Sequence, residues 1–358
     1  MPTRFAPRGA ASPSAAPPID AALLAYLHTT IGSEIDYKDA PREIVGGFET
    51  TTFAFSLTGA PTELSGPLIL RRHQREGDPE LARVESRVQN GLAELGFPAP
   101  RVSTVCTDAG VLGGAFTIME RVRGRTMMEA MLGPGVFRIS AVLGRLHAQL
   151  HGIDADLLRS RLLGAAARPA GFGLALDADE IARFVDEAQL DGLRDGMRWL
   201  TDHRPAPPLR LAACHGDFHP INIMMSGRDV TGVLDWSSMR IGDPAWDVGA
   251  SVALLGYGPV NVPRVLYPSV TWLRLRLVGR YLRAYAEGRP LDRARVQYYE
   301  AMRLLLFLCE AGFHRRTVAG VIAPTSKPTP FHQPAALNAI ARRFAAITAV
   351  ATSLPERA

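Results

Sequence analysis

CHGDFHPINIMM (residues 214–225) is followed shortly by TGVLDW (231–236) and then by RIGDPAWDVG (240–249). Within this stretch Asp217 precedes Asn222 by five residues, and Asp235 closes an apolar, strand-like run 18 residues beyond Asp217. Phosphoryl transfer needs such a set. One carboxylate orients an acceptor hydroxyl and takes its proton, while an amide oxygen and a second carboxylate hold Mg²⁺ across nucleotide phosphates. Mg²⁺ prefers hard oxygen ligands and keeps several waters, so two protein ligands suffice. Asp243 is a natural N-cap with Pro244 at the first helical position, and Asp247, four residues on, is placed to brace the preceding loop. A lone His-Gly-Asp is common; the three segments in this order are not.

Outward from this stretch, the chain divides by pattern. Residues 43–57 (EIVGGFETTTFAFSL) read as strand, tight turn and strand, and PLILRRH (67–73) as a short apolar strand ending in cations. Residues 79–95 form an expected helix with Pro79 in its first turn and Gly96 as its stop. FPAPRVSTVCT and GGAFTIMERV read as two further strands joined by a turn at Asp108–Gly110. After Gly124 the stretches 136–153, 178–200, 270–287, 293–313 and 334–353 are helical in pattern. The expected organisation is α+β: a Pro/Ala/Ser-rich arm at 1–19 expected to be disordered, a small sheet-rich domain at 20–123, and a larger helical domain at 124–358.

Composition narrows the class. The 358 residues are 47% hydrophobic and 21% charged, enough for a large buried core. No window approaches the roughly 20 apolar residues of a membrane span. The N-terminus lacks the apolar region of a secretory signal, and Cys106, Cys214 and Cys309 form neither a disulfide framework nor a metal knuckle, so a cytoplasmic location is expected. The net charge is +5, yet only Lys38 and Lys327 are lysines, and no basic run with interleaved aromatics suggests nucleic acid. The charge is uneven: residues 251–358 hold 15 Lys and Arg against 5 Asp and Glu.

On the residues 214–247 the chain resembles the aminoglycoside phosphotransferase and choline kinase-like family, which shares the bilobal protein-kinase-like fold. The resemblance implies Asp217 as catalytic base, His215 as the residue that holds the loop, and Asn222 and Asp235 as Mg²⁺ ligands, with ATP or GTP as co-substrate. His219-Pro220 also fits the family, which usually has Gly where this chain has Ile221. The sheet-rich part becomes the nucleotide lobe, Gly46-Gly47 begin the turn over the phosphates, and backbone groups from Glu120 to Val122 meet adenine. The family places a Lys in the third strand; here LILRRH offers Arg71, with Arg72 beside it, and some family members also use Arg. Glu85 in the following helix is the implied ion-pair partner. The pattern of the first lobe also resembles phosphotransferase domains linked to acyl-CoA dehydrogenases.

Two rival classes remain at this stage. His215, Asp217 and His219 alternate, so on a strand they could ligate a hydrolytic metal, although Pro220 argues against a long strand. The absent lysine would suit a non-catalytic nucleotide-binding relative. His147 and His151 lie four apart without the Glu of H-E-x-x-H and read as core or surface histidines that form no ligand pair. The family builds its acceptor site mainly from the helical lobe after the catalytic segment. The basic excess there disfavours a polycationic aminoglycoside and favours a neutral or anionic small-molecule hydroxyl. Oligomeric state is not written in these patterns.

Overall fold

The computed structural model describes residues 18–44, 50–73, 78–131, 133, 135–163, 178–258, 264–318 and 333–356. The N-terminal part begins with helix α1 (Ile19–Thr30), strands β1 (Asp36–Ile44), β2 (Thr50–Thr58) and β3 (Leu68–His73), and helix α2 (Asp78–Glu94). Strand β4 (Val102–Cys106), the one-turn helix α3 (Ala109–Leu112) and strand β5 (Phe116–Glu120) follow. The strands make one antiparallel sheet in the order β1-β2-β3-β5-β4. Alternation along β2 buries Phe53, Phe55 and Leu57, which pack with Leu68, Leu70, Phe116 and Ile118 against Leu23 and Leu27 of α1. Helix α2 docks on the opposite face. Its Asn90 carboxamide both accepts from the Val102 N–H and donates to the Val102 carbonyl, as a strand neighbour would.

The C-terminal part is helical apart from short ribbons. It runs through β6 (Arg125–Thr126), α4 (Met127–Met131), α5 (Val136–Leu150), α6 (Ala155–Leu163), α7 (Ala178–Glu187) and α8 (Arg194–Asp202). The ribbons β7 (Ala212–Cys214), β8 (Ile223–Ser226), β9 (Asp229–Val233) and β10 (Arg240–Gly242) carry the central motif. Helices α9 (Pro244–Tyr257), α10 (Tyr267–Gly288), α11 (Arg293–Val318) and α12 (Pro334–Thr348) complete it. One core joins Val88 and Leu92 of α2 to Leu143, Leu158, Phe218 and Trp236; a second gathers Ile181, Leu200, Leu304, Leu305, Ile340 and Phe344. The fold is a sheet-rich part followed by a helical part, the α+β organisation expected from the sequence.

Several expectations are corrected. The first strand starts at Asp36 rather than 43, because its DYKDAPREI sequence lies on the sheet edge, largely exposed, where no apolar alternation is required. The turn expected at Asp108–Gly110 is a helical turn whose Asp108 side chain caps it by accepting from the Gly110 N–H. The helical span 178–200 is broken between α7 and α8 by a 3₁₀ turn at Asp191–Leu193. The last helix stops at Thr348, ahead of Ala349 in the left-handed region at φ 59°. The arm to residue 17 and the Gly46-Gly47 turn lie outside the described residues. Among the described residues no helix is long and apolar enough to cross a membrane, and all three cysteines are buried and free.

Helices α5 and α10 approach closely at Gly144, where an added Cβ would lie 2.3 Å from the Tyr281 carbonyl oxygen and 3.0 Å from the Tyr285 nitrogen. Backbone cannot move aside as a side chain can. Gly144→Val is expected to destabilise the protein by about 2 kcal/mol or more in urea unfolding, with an unchanged denaturant slope if the fold is kept.

Candidate active site

The central motif is held from beneath. Strand β7 pairs with β10, so Cys214 lies opposite Arg240 and the chain turns directly into α9. Asp243 caps that helix by accepting from the Ala245 N–H at 2.9 Å, and Pro244 occupies its first turn. Asp247 then points at the loop: Oδ2 accepts from the His215 N–H at 2.5 Å and Oδ1 from the Gly216 N–H at 2.8 Å. Gly216 has φ 83°, and a Cβ there would come 2.6 Å from the Ser238 carbonyl oxygen. The buried His215 ring accepts from the Asp217 N–H at Nδ1, so Nε2–H donates to the Leu234 carbonyl at 3.0 Å. That bond and the one from the Leu234 N–H to the Asn222 carbonyl, 2.7 Å, stitch the loop to the chain leading into Asp235.

Asp217 gathers donors on both oxygens. His219 Nε2 and Asn222 Nδ2 each lie 3.1 Å from Oδ2, and Arg303 Nη2 of α11 lies 3.3 Å from Oδ1. Burial pushes this carboxyl up, but His219 and then Arg303 outweigh it and hold the group well below the usual carboxylate range. Asn222 also donates to the Asp217 carbonyl, which points its amide nitrogen inward and leaves its amide oxygen for other partners.

The opposite wall comes from the sheet. On β3, Arg71 and Arg72 face opposite sides: Arg71 Nη1 meets Glu85 Oε1 at 2.5 Å and its Nη2 lies 3.9 Å from Asp235 Oδ1, whereas Arg72 reaches the Leu112 carbonyl. Burial pushes the Glu85 carboxyl up and Arg71 opposes this. Asp235 is non-glycine at φ 61°, a strained backbone that aims its half-exposed carboxylate into the cleft, where Ser237 donates to it. Glu120 ends β5 with its backbone and side chain on Arg101, so its carboxylate is committed to structure; Val122 packs against Gly232 in the segment joining the two parts.

One cluster escaped the sequence reading. His147 and His151 are fully buried and both face Asp247: His151 Nε2 bonds Oδ2 at 3.3 Å, and His147 Nε2 lies 3.0 Å from Oδ2 without the alignment of a hydrogen bond. The ring Nδ1 atoms meet the hydroxyls of Tyr281 and Tyr285, each at 2.7 Å. The signal was present as two i, i+4 pairs, His147/His151 and Tyr281/Tyr285, on helices that face each other. The expectation of core histidines holds, and with Asp247 they also form the one group of potential metal ligands found among the described residues. The carboxylate is already taken by two backbone donors, so the cluster acts as a brace. By contrast His215, Asp217 and His219 do not converge on one point, because the His215 ring is committed to the Leu234 carbonyl.

An antiparallel sheet carrying Arg71, beside a helical body that presents Asp217, Asn222 and Asp235, is the fold of the protein-kinase-like phosphotransferases. The chain belongs to the phosphotransferase enzyme family, whose match covers residues 41–305. It is 28% identical over 209 residues to acyl-CoA dehydrogenase family member 11 of Homo sapiens, covering 56% of this chain and 25% of that protein. The Gallus gallus counterpart is 29% identical over 211 residues, covering 54% and 26%. The match therefore spans about a quarter of the length of these relatives. Among solved structures, a thermostable mutant of aminoglycoside phosphotransferase APH(4)-Ia, in ternary complex with ADP and hygromycin B, shares the fold at TM-score 0.59 and 16% identity over 92% of this chain and 98% of that one. Macrolide 2'-phosphotransferase MphH from Brachybacterium faecium does so at TM-score 0.50 and 17% identity, over 90% and 97%.

Two outcomes are expected. Arg71→Ala leaves Glu85 buried and uncompensated and should cost about 3 kcal/mol in unfolding experiments, part of it recovered by adding Glu85→Gln. Burial, then the neighbouring His151, lowers the His147 pKa to about 4, against an ordinary 6.5. The unfolded chain therefore binds the proton first as pH falls, and stability is lost between about pH 6.5 and 4, on the order of 3 kcal/mol in total. Asp247, held well below its ordinary value, adds loss in the same direction below about pH 4. Melting temperature against pH should show this slope, and His147→Gln should flatten it.

Proposed function

We propose that the protein transfers the γ-phosphoryl group of ATP or GTP to the hydroxyl of a neutral or anionic small molecule. The observation that carries the reading is the line Glu85–Arg71–Asp235 crossing the cleft toward the loop that presents Asp217 and Asn222. Asp217 orients the acceptor hydroxyl and receives its proton as the acceptor oxygen forms its bond to phosphorus. The bond between phosphorus and the β,γ-bridging oxygen breaks, its electron pair stays on the nucleoside diphosphate, and the proton passes on to solvent. A carboxylate held so low is a weak base, which suits orientation and late proton capture in a loose transition state.

The Asp235 carboxylate and the Asn222 amide oxygen form the hard-oxygen donor set that Mg²⁺ requires, and these two residues would hold it. When bound, the ion supplies charge neutralisation on the phosphates. Arg71 stands ready for phosphate and can engage it bidentately, so the absent lysine no longer favours a non-catalytic relative. Segment 120–122 is the adenine-facing connection in this reading. Two buried acidic side chains of the helical part are already paired, Asp243 with Arg295 and Glu300 with Arg343, so neither is free for a polycation, and the basic excess of residues 251–358 supports an uncharged or anionic acceptor. The kinship with acyl-CoA dehydrogenase family members makes a hydroxyacyl thioester one candidate. Three free buried thiols agree with a reducing, cytoplasmic location.

Calorimetric titration with ATP should show Mg²⁺-dependent binding tighter than about 1 mM. Asp235→Ala should lose it. Asp217→Ala should keep binding within about twofold while transfer falls by a factor on the order of 10³ or more. Nucleotide binding indifferent to both Mg²⁺ and Asp235 would refute the assignment.

A further inference from the structure

The reaction reading leaves Arg303 unexplained. It projects from α11, 86 residues from Asp217 in sequence, and places Nη2 3.3 Å from Asp217 Oδ1, with its guanidinium carbon 5.1 Å from the centre of the Phe307 ring. Its Nε is buried and has no hydrogen-bond partner among the described residues. A buried donor left unmet is costly and is rare in a folded protein unless a ligand completes it. The carboxylate it touches is otherwise served: Oδ2 takes His219 and Asn222 at 3.1 Å each, so the longer Arg303 bond on Oδ1 is the one an incoming hydroxyl can most readily displace.

From this geometry we infer that Arg303 is a specificity residue that binds a carboxylate or phosphate group carried by the acceptor, and that it yields Asp217 Oδ1 to the acceptor hydroxyl when that anion arrives. This rests on the phosphotransferase reading above. Arg71 approaches the cleft from the sheet and Arg303 from the opposite, helical side, so the two cations serve different ligands: Arg71 the nucleotide phosphates, Arg303 the acceptor. The planar guanidinium fork, with Nε–H unmet, matches an oxyanion bidentately and gives nothing comparable to a neutral alcohol. It also accounts for discrimination, since a cationic acceptor would be repelled beside the reacting pair.

The test uses the full chain saturated with Mg²⁺ and the non-hydrolysable nucleotide AMP-PNP, titrated calorimetrically with two matched probe pairs: 3-hydroxybutyrate against 1,3-butanediol, and glycerol 3-phosphate against glycerol. In the wild type at least one anionic probe should bind ten times or more tighter than its neutral partner, and which pair responds identifies carboxylate or phosphate. Arg303→Gln should reduce that ratio to below threefold while AMP-PNP affinity stays within twofold, and Arg303→Lys should retain an intermediate preference, which shows that charge and not folding is at issue. Equal binding of both members of each pair by the wild type, or a preference that survives Arg303→Gln, refutes the proposal. Loss of AMP-PNP affinity in Arg303→Gln also refutes it, by placing the guanidinium on the nucleotide. Failure of the wild type to bind AMP-PNP at all instead overturns the phosphotransferase reading beneath it.

Discussion

A single buried carboxylate, Asp247, fixes the geometry of the loop that carries Asp217 and Asn222. Its two oxygens accept from consecutive backbone N–H groups, those of His215 and Gly216, which ties the turn of the loop to helix α9. Burial opposes ionisation, but His147 and then His151 beside it hold the Asp247 carboxyl well below the usual carboxylate range. Helix α9 supplies Asp247, α5 supplies the two histidines, and α10 supplies the tyrosines that orient them. Three helices thus meet at one side chain, and their packing is transmitted through the His215 and Gly216 backbone to Asp217, the next residue along.

The cleft above this brace is polarised. The sheet contributes Arg71, anchored by Glu85, and α11 contributes Arg303, paired with Asp217 and lying over the Phe307 ring. Between them stand Asp217 and the strained Asp235, one ringed by donors and the other half-exposed. The strained backbone at Asp235 is a cost the surrounding structure carries, here through the packing of Trp236 against Phe97 and His215. The same site combines a sheet-side cation fixed by a buried carboxylate with a helix-side cation whose Nε has no hydrogen-bond partner among the described residues.

Much of this was legible in the residues. The apolar run into Asp235, the Asp243-Pro244 cap and the helix after residue 78 are local features, set by capping chemistry and side-chain periodicity that act within a few residues. Strand β1 was only partly legible because an edge strand can expose both faces, so DYKDAPREI carries no alternation. The choice between Arg71 and Arg72 is a question of which face of β3 meets α2, and adjacent residues in a strand are equivalent in composition. Arg303 was invisible for a further reason: among many arginines on helices of the same charge, only the crossing of α11 over the loop distinguishes the one that reaches Asp217.

Sequence by itself therefore determined the donor set: a carboxylate, an amide and a second carboxylate at fixed spacing, on a loop bounded by a capped helix, because those constraints are short-range and written in residue type. Only the tertiary structure decided which cations stand beside that donor set and what holds it still. Arg71 over Arg72, Arg303 among its neighbours, and the His147–His151–Asp247 brace all join residues distant along the chain, and their partnership depends on how the sheet and helices pack rather than on any local pattern.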